Sequence, residues 1–210
     1  MRKTILAGVL LALPFSAFTG EPSSRVAMSP DLLKQLHQAN VTRGHELAAS
    51  CGACHESGGA FPVLDGQLPT YLYKQLQDYK DGHRSNPLMS GLAASLSEAD
   101  MIDLAAYYGQ RPRVQPAASP VSTKPVLAVR GDSRRILPPC AACHDSNGTG
   151  QKIDIPALAG QNEAYLTQTL KDYQSGARHN DLYGRMRSIA GEMTDAEILA
   201  VARYYAGMGQ

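Results

Sequence analysis

The chain has 210 residues, which is enough for one or two domains. Its 20 Lys and Arg residues nearly balance 19 Asp and Glu residues, so the formal net charge is only +1. A protein that binds nucleic acid through the phosphates would be strongly basic, and this composition therefore argues against a nucleic-acid partner.

The N-terminal segment is typical of an exported protein. Arg2 and Lys3 precede an apolar stretch over residues 5–18, and residues 1–20 contain no acidic residue. This is the pattern of a secretory signal peptide. Pro14 interrupts the stretch, which is also shorter than the ~20 apolar residues that span a bilayer. We therefore predict a signal peptide over residues 1–20 and a mature protein in the periplasm.

The rest of the chain is predicted to be helical. We expect residues 20–30 to form a flexible leader and residues 30–36 to form an added helical turn. Apolar residues at helical spacing predict a helix over 70–81, and the second half repeats this pattern. Ser97 and Thr194 each begin a capping-box sequence, which indicates the start of a further helix. Because no stretch shows strand alternation, the predicted fold class is all-α.

Two copies of the pentapeptide Cys-x-x-Cys-His contain all four cysteines of the chain, at residues 51–55 and 140–144. Two thiols at this spacing reach the two vinyl groups at one edge of a porphyrin, and the next imidazole then lies beneath the iron. This pattern is typical of c-type haem attachment. We therefore predict two covalently bound haem c groups. The predicted attachment residues are Cys51, Cys54, Cys140 and Cys143, and the predicted proximal iron ligands are His55 and His144.

Other uses of the cysteines explain the pattern less well. A four-thiolate zinc site would bring the two pairs together, but 89 positions separate them, against the usual ~15–20. A thioredoxin-like dithiol would follow a strand, and neither pair does. Structural disulfides remain an alternative in an exported chain. They leave unexplained the histidine that follows each pair.

The two halves of the chain repeat each other beyond the pentapeptides. Residues 62–67 match residues 156–161 at an offset of 94 positions, and a Pro-rich linker over 111–125 separates the halves. We therefore predict domains over residues 21–117 and 118–210. At the same offset, identical residues pair Tyr71, Leu72, Leu76, Asp78, Tyr79, Gly82, Arg84 and Asn86 with Tyr165, Leu166, Leu170, Asp172, Tyr173, Gly176, Arg178 and Asn180.

The repeat also predicts the second axial ligand of each iron. A ligand with the same role in both halves should occupy aligned positions, and Met89 and Met186 are the aligned methionine pair. Met101 and Met193 have no methionine partner, and we expect them in the core. Histidine is the rival ligand, and His179 stays an alternative in the second half alone. A methionine thioether favours ferrous iron and raises the reduction potential, which suits a respiratory electron carrier.

With these features the sequence resembles the cytochrome c4 family, exported di-haem carriers built of two class I cytochrome c domains. The resemblance runs from about residue 42 to the C-terminus. It rests on CGACH with FPVLDGQ and MSGLAASLS, and on CAACH with IPALAGQ and MRSIAGEMT. It implies that the carbonyls of Pro62 and Pro156 accept a hydrogen bond from the proximal imidazoles. It also implies Met89 and Met186 as ligands.

We therefore expect two tandem cytochrome c-like haem domains that carry single electrons and catalyse no reaction. The expected donor is a quinol-oxidising complex or a dehydrogenase, and the expected acceptor is a terminal oxidase. Association with the membrane surface is expected only through such partners. The first alternative is the cytochrome subunit of a periplasmic dehydrogenase complex, and the second is a di-haem peroxidase, for which the chain is short.

Two aligned arginines have two interpretations. Arg84 and Arg178, each near an aligned tyrosine at 79 or 173, could bind the haem propionates through charge-assisted hydrogen bonds. Alternatively they are solvated arginines at helix ends. The sequence does not decide between these interpretations.

Overall fold

The computed structural model describes residues 23–55, 61–113, 124–151 and 153–209. We refer to the described residues up to 113 as the first half and to those from 124 as the second half. The predicted signal peptide and the predicted domain boundary at 117/118 lie outside the described residues. Regular structure in the described part is helical, with two isolated β-bridges and no strand. The prediction of an all-α fold is confirmed.

Eleven α-helices and two 3-10 turns follow one another along the described residues. In the first half they are α1 Pro30–His37, α2 Val41–Ala48, α3 Gly52–His55, α4 Pro69–Lys80, α5 Pro87–Ser95 and α6 Glu98–Gln110. In the second half they are α7 Val126–Val129, the turn Ser133–Arg135, α8 Cys140–His144, α9 Glu163–Ser175, the turn Leu182–Gly184, α10 Arg185–Gly191 and α11 Asp195–Ala206. None of the described helices is long and apolar enough to cross a membrane.

The helix boundaries follow local sequence chemistry. Both predicted capping boxes are present: Ser97 and Asp100 close one at the start of α6, and Thr194 and Glu197 close one at the start of α11. The helix predicted over 70–81 is α4. Its counterpart α9 ends at a glycine with a φ of 79°, a left-handed conformation that glycine adopts without steric cost.

Each half packs its helices around its own core. In the first half α6 packs against α1, α2 and α4, and Met101 on α6 is fully buried in that core. Gly44 allows the close approach of α2 to α6, because a Cβ at this position would lie 2.2 Å from the carbonyl oxygen of Asp103. In the second half α9 packs against α10 and α11. The helices and loops that carry the pentapeptides are thereby placed against these cores.

The prediction of a flexible leader is wrong for the part of it that the structure describes. Ser24 donates from its hydroxyl to the buried Asp78 at 2.6 Å, and Val26 and Met28 pack against the first core. Ser23 accepts a hydrogen bond at 3.0 Å from Arg187 in the second half. Apolar and hydroxyl side chains in this segment find partners on the folded protein, so it packs across the surface and contacts both halves.

The added helical turn is a full helix of two turns. It begins at Ser29, whose hydroxyl accepts from the backbone N–H of Leu32, and Pro30 occupies the first helical position. Leu32 and Leu36 are four residues apart, lie on one face and are buried against the first core. This helix enlarges the core of the first half alone.

Candidate haem-binding site

A cavity of about 1090 Å³ extends through both halves of the protein. Apolar side chains from both cores form most of its wall, and both pentapeptides open into it. All eight predicted site residues line this cavity: Cys51, Cys54, His55, Met89, Cys140, Cys143, His144 and Met186. The structure therefore brings the predicted residues of the two halves to one continuous space.

Each proximal histidine is held by a backbone carbonyl. His55 ends α3, and its Nδ1 lies 2.8 Å from the carbonyl oxygen of Pro62. His144 ends α8, and its Nδ1 lies 2.9 Å from the carbonyl oxygen of Pro156. A carbonyl can only accept, so Nδ1 carries the proton and Nε2 keeps its lone pair for a metal. The geometry implied by the family resemblance is thus present in both halves.

The surroundings of these imidazoles favour their neutral form. Burial lowers the pKa of His55 and of His144, and the hydrogen bond to the prolyl carbonyl opposes this effect only in part. A neutral imidazole is the form that coordinates iron.

The four cysteines all lie in the described part of the chain, and none of them forms a disulfide. Burial raises the pKa of Cys140 to about 11, so this thiol is kept uncharged. The described residues also contain no group of three or more His, Cys, Asp or Glu side chains arranged to hold a metal ion. Two separate, partly buried thiol pairs beside an apolar cavity suit covalent attachment of an apolar ring.

The aligned methionines lie on equivalent helices that begin differently. Met89 is on α5, where its backbone N–H donates to the side chain of Asn86 at 3.0 Å. Met186 is on α10, where the carboxylate of Asp181 instead binds the backbone N–H and the guanidinium of Arg187, at 3.0 and 2.7 Å. Both methionines are half-buried at the cavity wall.

Other histidines and methionines, including the alternative ligand His179, are placed less favourably for binding iron. His179 is exposed and does not line the cavity, and His83 is buried outside the cavity lining. Met101 is packed in the first core, as predicted. Met193 is packed in the second core and also reaches the cavity wall.

The aligned arginines lie between the halves. Arg84 stacks on Tyr79 at 4.6 Å and donates to the hydroxyl of Tyr165 in the second half at 3.2 Å. Arg178 makes the reciprocal arrangement, since it stacks on Tyr173 at 4.7 Å and donates to the hydroxyl of Tyr71 at 3.0 Å. Arg178 is 5% exposed. The interpretation of a solvated arginine is therefore wrong for Arg178, and the sequence did not indicate these contacts between halves.

The arginine pair changes the electrostatics of the cavity wall. Burial alone would raise the pKa of Tyr165, but the two positive charges of Arg84 and Arg178 lower it to about 7. Nη1 of Arg178 is buried and has no hydrogen-bond partner among the described residues. One half-buried and one buried arginine, with an unused donor on Arg178, fit the carboxylates that a haem carries at one edge.

Two glutamines form a second reciprocal contact between the halves. The side-chain amide of Gln67 donates to the carbonyl of Ala157 at 3.0 Å and accepts from the N–H of Ala157 at 2.8 Å. Gln161 makes the same pair of bonds to Val63, at 3.0 and 2.7 Å. Both glutamines are 4% exposed. Their aligned positions at the end of the matched hexapeptides were visible in the sequence, but their partners were not.

Comparison with known proteins agrees with this site. The Cytochrome c family model matches residues 137–208. A cytochrome c4 from Thiocapsa roseopersicina is 37% identical over 169 residues, which cover 76% of this chain and 88% of the relative. A protein named thiosulfate dehydrogenase electron acceptor, from Thiomonas intermedia, is 36% identical over 98% of this chain and 91% of its own length.

Solved structures show the same architecture. The crystal structure of reduced cytochrome c4 from Pseudomonas stutzeri superposes with a TM-score of 0.77 at 33% identity and covers 81% of this chain and 100% of that one. Thiosulfate dehydrogenase from Marichromatium purpuratum superposes with a TM-score of 0.71 at 33% identity, over 80% of this chain and 40% of that one. The relatives are named as cytochromes or electron acceptors. The protein is a di-haem electron-transfer cytochrome with covalently bound haem c, and the chain belongs to the cytochrome c4 family.

Proposed function

We propose that each half holds one haem c through its own pentapeptide. In the first half the thiols of Cys51 and Cys54 form the thioethers, and in the second half those of Cys140 and Cys143 do so. His55 with Met89 would hold the iron of the first haem, and His144 with Met186 would hold that of the second. One observation carries this assignment: the eight side chains, four from each half, all line the same cavity.

We further propose that the chain is exported to the periplasm after removal of residues 1–20, with domains over 21–117 and 118–210. The charged start and apolar stretch of residues 1–20 support export. The separate cores and the repeated pentapeptides of the two halves support the division. Haem c is attached covalently on the exported side of the inner membrane, which agrees with export of this chain.

The side chains of the site prepare it for electron transfer. When bound, a haem iron supplies a reversible one-electron couple. The carbonyls of Pro62 and Pro156 hold the Nδ1 protons and fix the orientation of both imidazoles. As iron ligands, the sulfurs of Met89 and Met186 would favour the ferrous state and raise the reduction potential. Arg84 and Arg178 line this cavity and would offset the charge of the carboxylates of a bound haem.

We propose that the physiological donor is a quinol-oxidising complex or a dehydrogenase and that the acceptor is a terminal oxidase. A second candidate is the cytochrome partner of a thiosulfate dehydrogenase. This candidate is favoured by the relative from Thiomonas intermedia, which matches nearly the whole chain and carries the name of electron acceptor of that enzyme.

Electron transfer with purified partners tests both roles. The oxidised protein is mixed with thiosulfate dehydrogenase and thiosulfate, and separately the reduced protein is mixed with a purified terminal oxidase and oxygen. Reduction in the first mixture supports the dehydrogenase partner, and oxidation in the second supports delivery to the oxidase. Thiosulfate without the dehydrogenase, and oxygen without the oxidase, serve as controls. Failure of transfer in both mixtures would contradict these partner assignments.

A further inference from the structure

The peptide group that binds each proximal histidine is hydrogen-bonded at both its carbonyl and its N–H. The peptide that joins Pro62 to Val63 accepts at its carbonyl from Nδ1 of His55 at 2.8 Å. The N–H of the same peptide donates to Oε1 of Gln161, from the other half, at 2.7 Å. In a planar trans peptide the C=O and N–H point in opposite directions, so His55 and Gln161 lie at opposite ends of one conjugated unit.

The second half contains the same arrangement with the roles of the halves exchanged. The carbonyl of Pro156 accepts from Nδ1 of His144 at 2.9 Å, and the N–H of Ala157 in the same peptide donates to Oε1 of Gln67 at 2.8 Å. Each glutamine oxygen also accepts from the N–H of the residue that follows it, Leu68 or Asn162, which fixes its position. Each axial histidine is therefore supported by a glutamine of the opposite half.

We propose that Gln161 and Gln67 are positioning residues that tune the reduction potential of the haem in the opposite half. The proposal rests on the proposed ligation by His55 and His144. An acceptor on the peptide N–H makes the carbonyl oxygen more negative, because consecutive hydrogen bonds polarise one another. The more negative oxygen binds the Nδ1 proton more strongly and makes the imidazole a better electron donor. A better donor stabilises ferric iron, so each glutamine lowers the potential of the haem across the interface.

The direction of the effect separates this role from a merely structural one. Gln161→Leu removes the acceptor from the N–H of Val63 and should raise the potential of the first haem, whereas the second haem should stay unchanged. The expected change in the reduction equilibrium constant is about threefold, which is ~28 mV for a one-electron couple. Gln67→Leu should raise only the potential of the second haem.

The test is a redox titration of the holoprotein followed by the paramagnetically shifted NMR resonances of each haem, assigned by their contacts within each half. Hydrogen exchange of the Val63 amide, measured in the same samples, should become faster in Gln161→Leu. Gln161→Glu keeps an oxygen acceptor at this position and should leave the first potential unchanged or lower it. This variant also keeps the proposal testable if the leucine variant does not fold.

Thr70→Val is the matched control. The Thr70 hydroxyl also donates across the interface, to the carbonyl of Ile153, but touches neither peptide beside the histidines. Thr70→Val should shift neither potential.

Three results would overturn the proposal. Gln161→Leu could shift the reduction potential of the second haem instead of the first, or it could shift neither potential although the Val63 amide exchanges faster. The third is that Thr70→Val shifts the first potential as much as Gln161→Leu does. The ligation assignment is checked separately in the wild-type protein, whose ferric spectrum reports methionine ligation whatever the glutamine variants do.

Discussion

Lys74 on α4 donates from Nζ to the main-chain carbonyl oxygen of Asn180 at 2.6 Å, so a lysine of the first half is bound directly to the backbone of the second. The same Nζ lies 2.6 Å from the carboxylate of Asp78, which also accepts at 2.7 Å from the side-chain amide of Asn180. Lys74 is 3% exposed and Asp78 is fully buried. Burial lowers the pKa of Lys74, and the charge of Asp78 opposes that shift. The buried ion pair of α4 in the first half is therefore bound at both of its members by Asn180 of the second half.

Removal of the lysine should destabilise the protein strongly. In Lys74→Met the carboxylate of Asp78 stays buried without a cation, and a broken buried pair typically costs about 3–5 kcal/mol of unfolding free energy. The measurement is urea unfolding of the holoprotein followed by far-ultraviolet circular dichroism. Lys80→Met, on the exposed face of the same helix, is the control and should cost far less. A loss below about 1 kcal/mol for Lys74→Met would contradict the role of this pair.

The double variant Lys74→Met, Asp78→Leu should recover much of this loss. It removes both charges together, and an apolar pair of similar volume is often nearly neutral in stability. Equal instability of the single and double variants would show that packing around Lys74, and not the unpaired carboxylate, carries the effect.

The mature protein should carry two covalently bound haems and no free thiol. All four cysteines belong to pentapeptides that open into the cavity. Denaturing intact-mass spectrometry should show the mass of two added haems, and thiol titration of the unfolded protein should give no reaction. A mass gain of one haem or none would refute the attachment assignment.

Each methionine variant should remove the methionine signal of one haem. Met89→Ala and Met186→Ala should each reduce the sulfur-to-iron charge-transfer absorbance of the ferric protein by about half and lower one potential. Met193→Leu, which alters a core methionine that also reaches the cavity wall, is the control and should keep the full absorbance. If Met186→Ala keeps its full absorbance and Met193→Leu loses half, the ligand of the second half is Met193.

The sequence predicted the parts of the protein that depend on local spacing. The pentapeptides predict which side chains bind one ring, and the internal repeat predicts Met89 and Met186 among the seven methionines; all of these side chains line the cavity. The capping boxes at Ser97 and Thr194 correctly predicted two helix starts. Each of these features is contained within a few neighbouring residues or in the comparison of two similar segments. Their positions could therefore be derived before the structure was known.

The contacts between halves could not be derived in this way. Gln67 and Gln161 were visible as an aligned pair, but the periodicity of a segment does not say which backbone it faces across an interface. Arg178 was expected either on a propionate or in solvent, and it lies on Tyr173 and Tyr71. The segment over residues 20–30 was expected to be a flexible leader. Its order comes from single bonds, such as that of Ser24 to Asp78, that only the packed protein provides.

Acid should weaken the anchoring of α11 in a defined range. Glu197 closes the capping box of α11 and binds Arg135, and the hydrogen bonds from Arg135, followed by that from the backbone of Thr194, lower the pKa of Glu197 to about 2. A carboxyl whose pKa is depressed by folding stabilises the folded state above its unfolded pKa and loses this contribution as the pH falls through the folded value. The contribution is therefore complete above about pH 5 and is lost between pH 5 and 2.

Arg135→Gln tests this pH range. At pH 7 the variant should be less stable than the wild type in urea unfolding, and the difference should shrink steadily as the pH is lowered from 5 towards 2. Arg134→Gln, at the exposed neighbouring position, is the control and should show no such convergence. A difference that stays constant down to pH 2 would show that Arg135 acts through its bond to the Glu192 carbonyl instead.

The exchange of equivalent bonds, with Gln67 on Ala157 and Gln161 on Val63, has the form of an isologous interface. In such an interface one patch meets a copy of itself about a two-fold axis, and here the two copies belong to a single polypeptide. A protein made of one half alone, with identical glutamine and backbone groups, would satisfy all four bonds by pairing with a second molecule of its own kind. Joining the copies in one chain makes that pairing independent of protein concentration and leaves each copy free to diverge. One aligned pair shows this divergence, because Asn86 caps α5 whereas its equivalent Asn180 is buried and bound to Gln75 and Asp78.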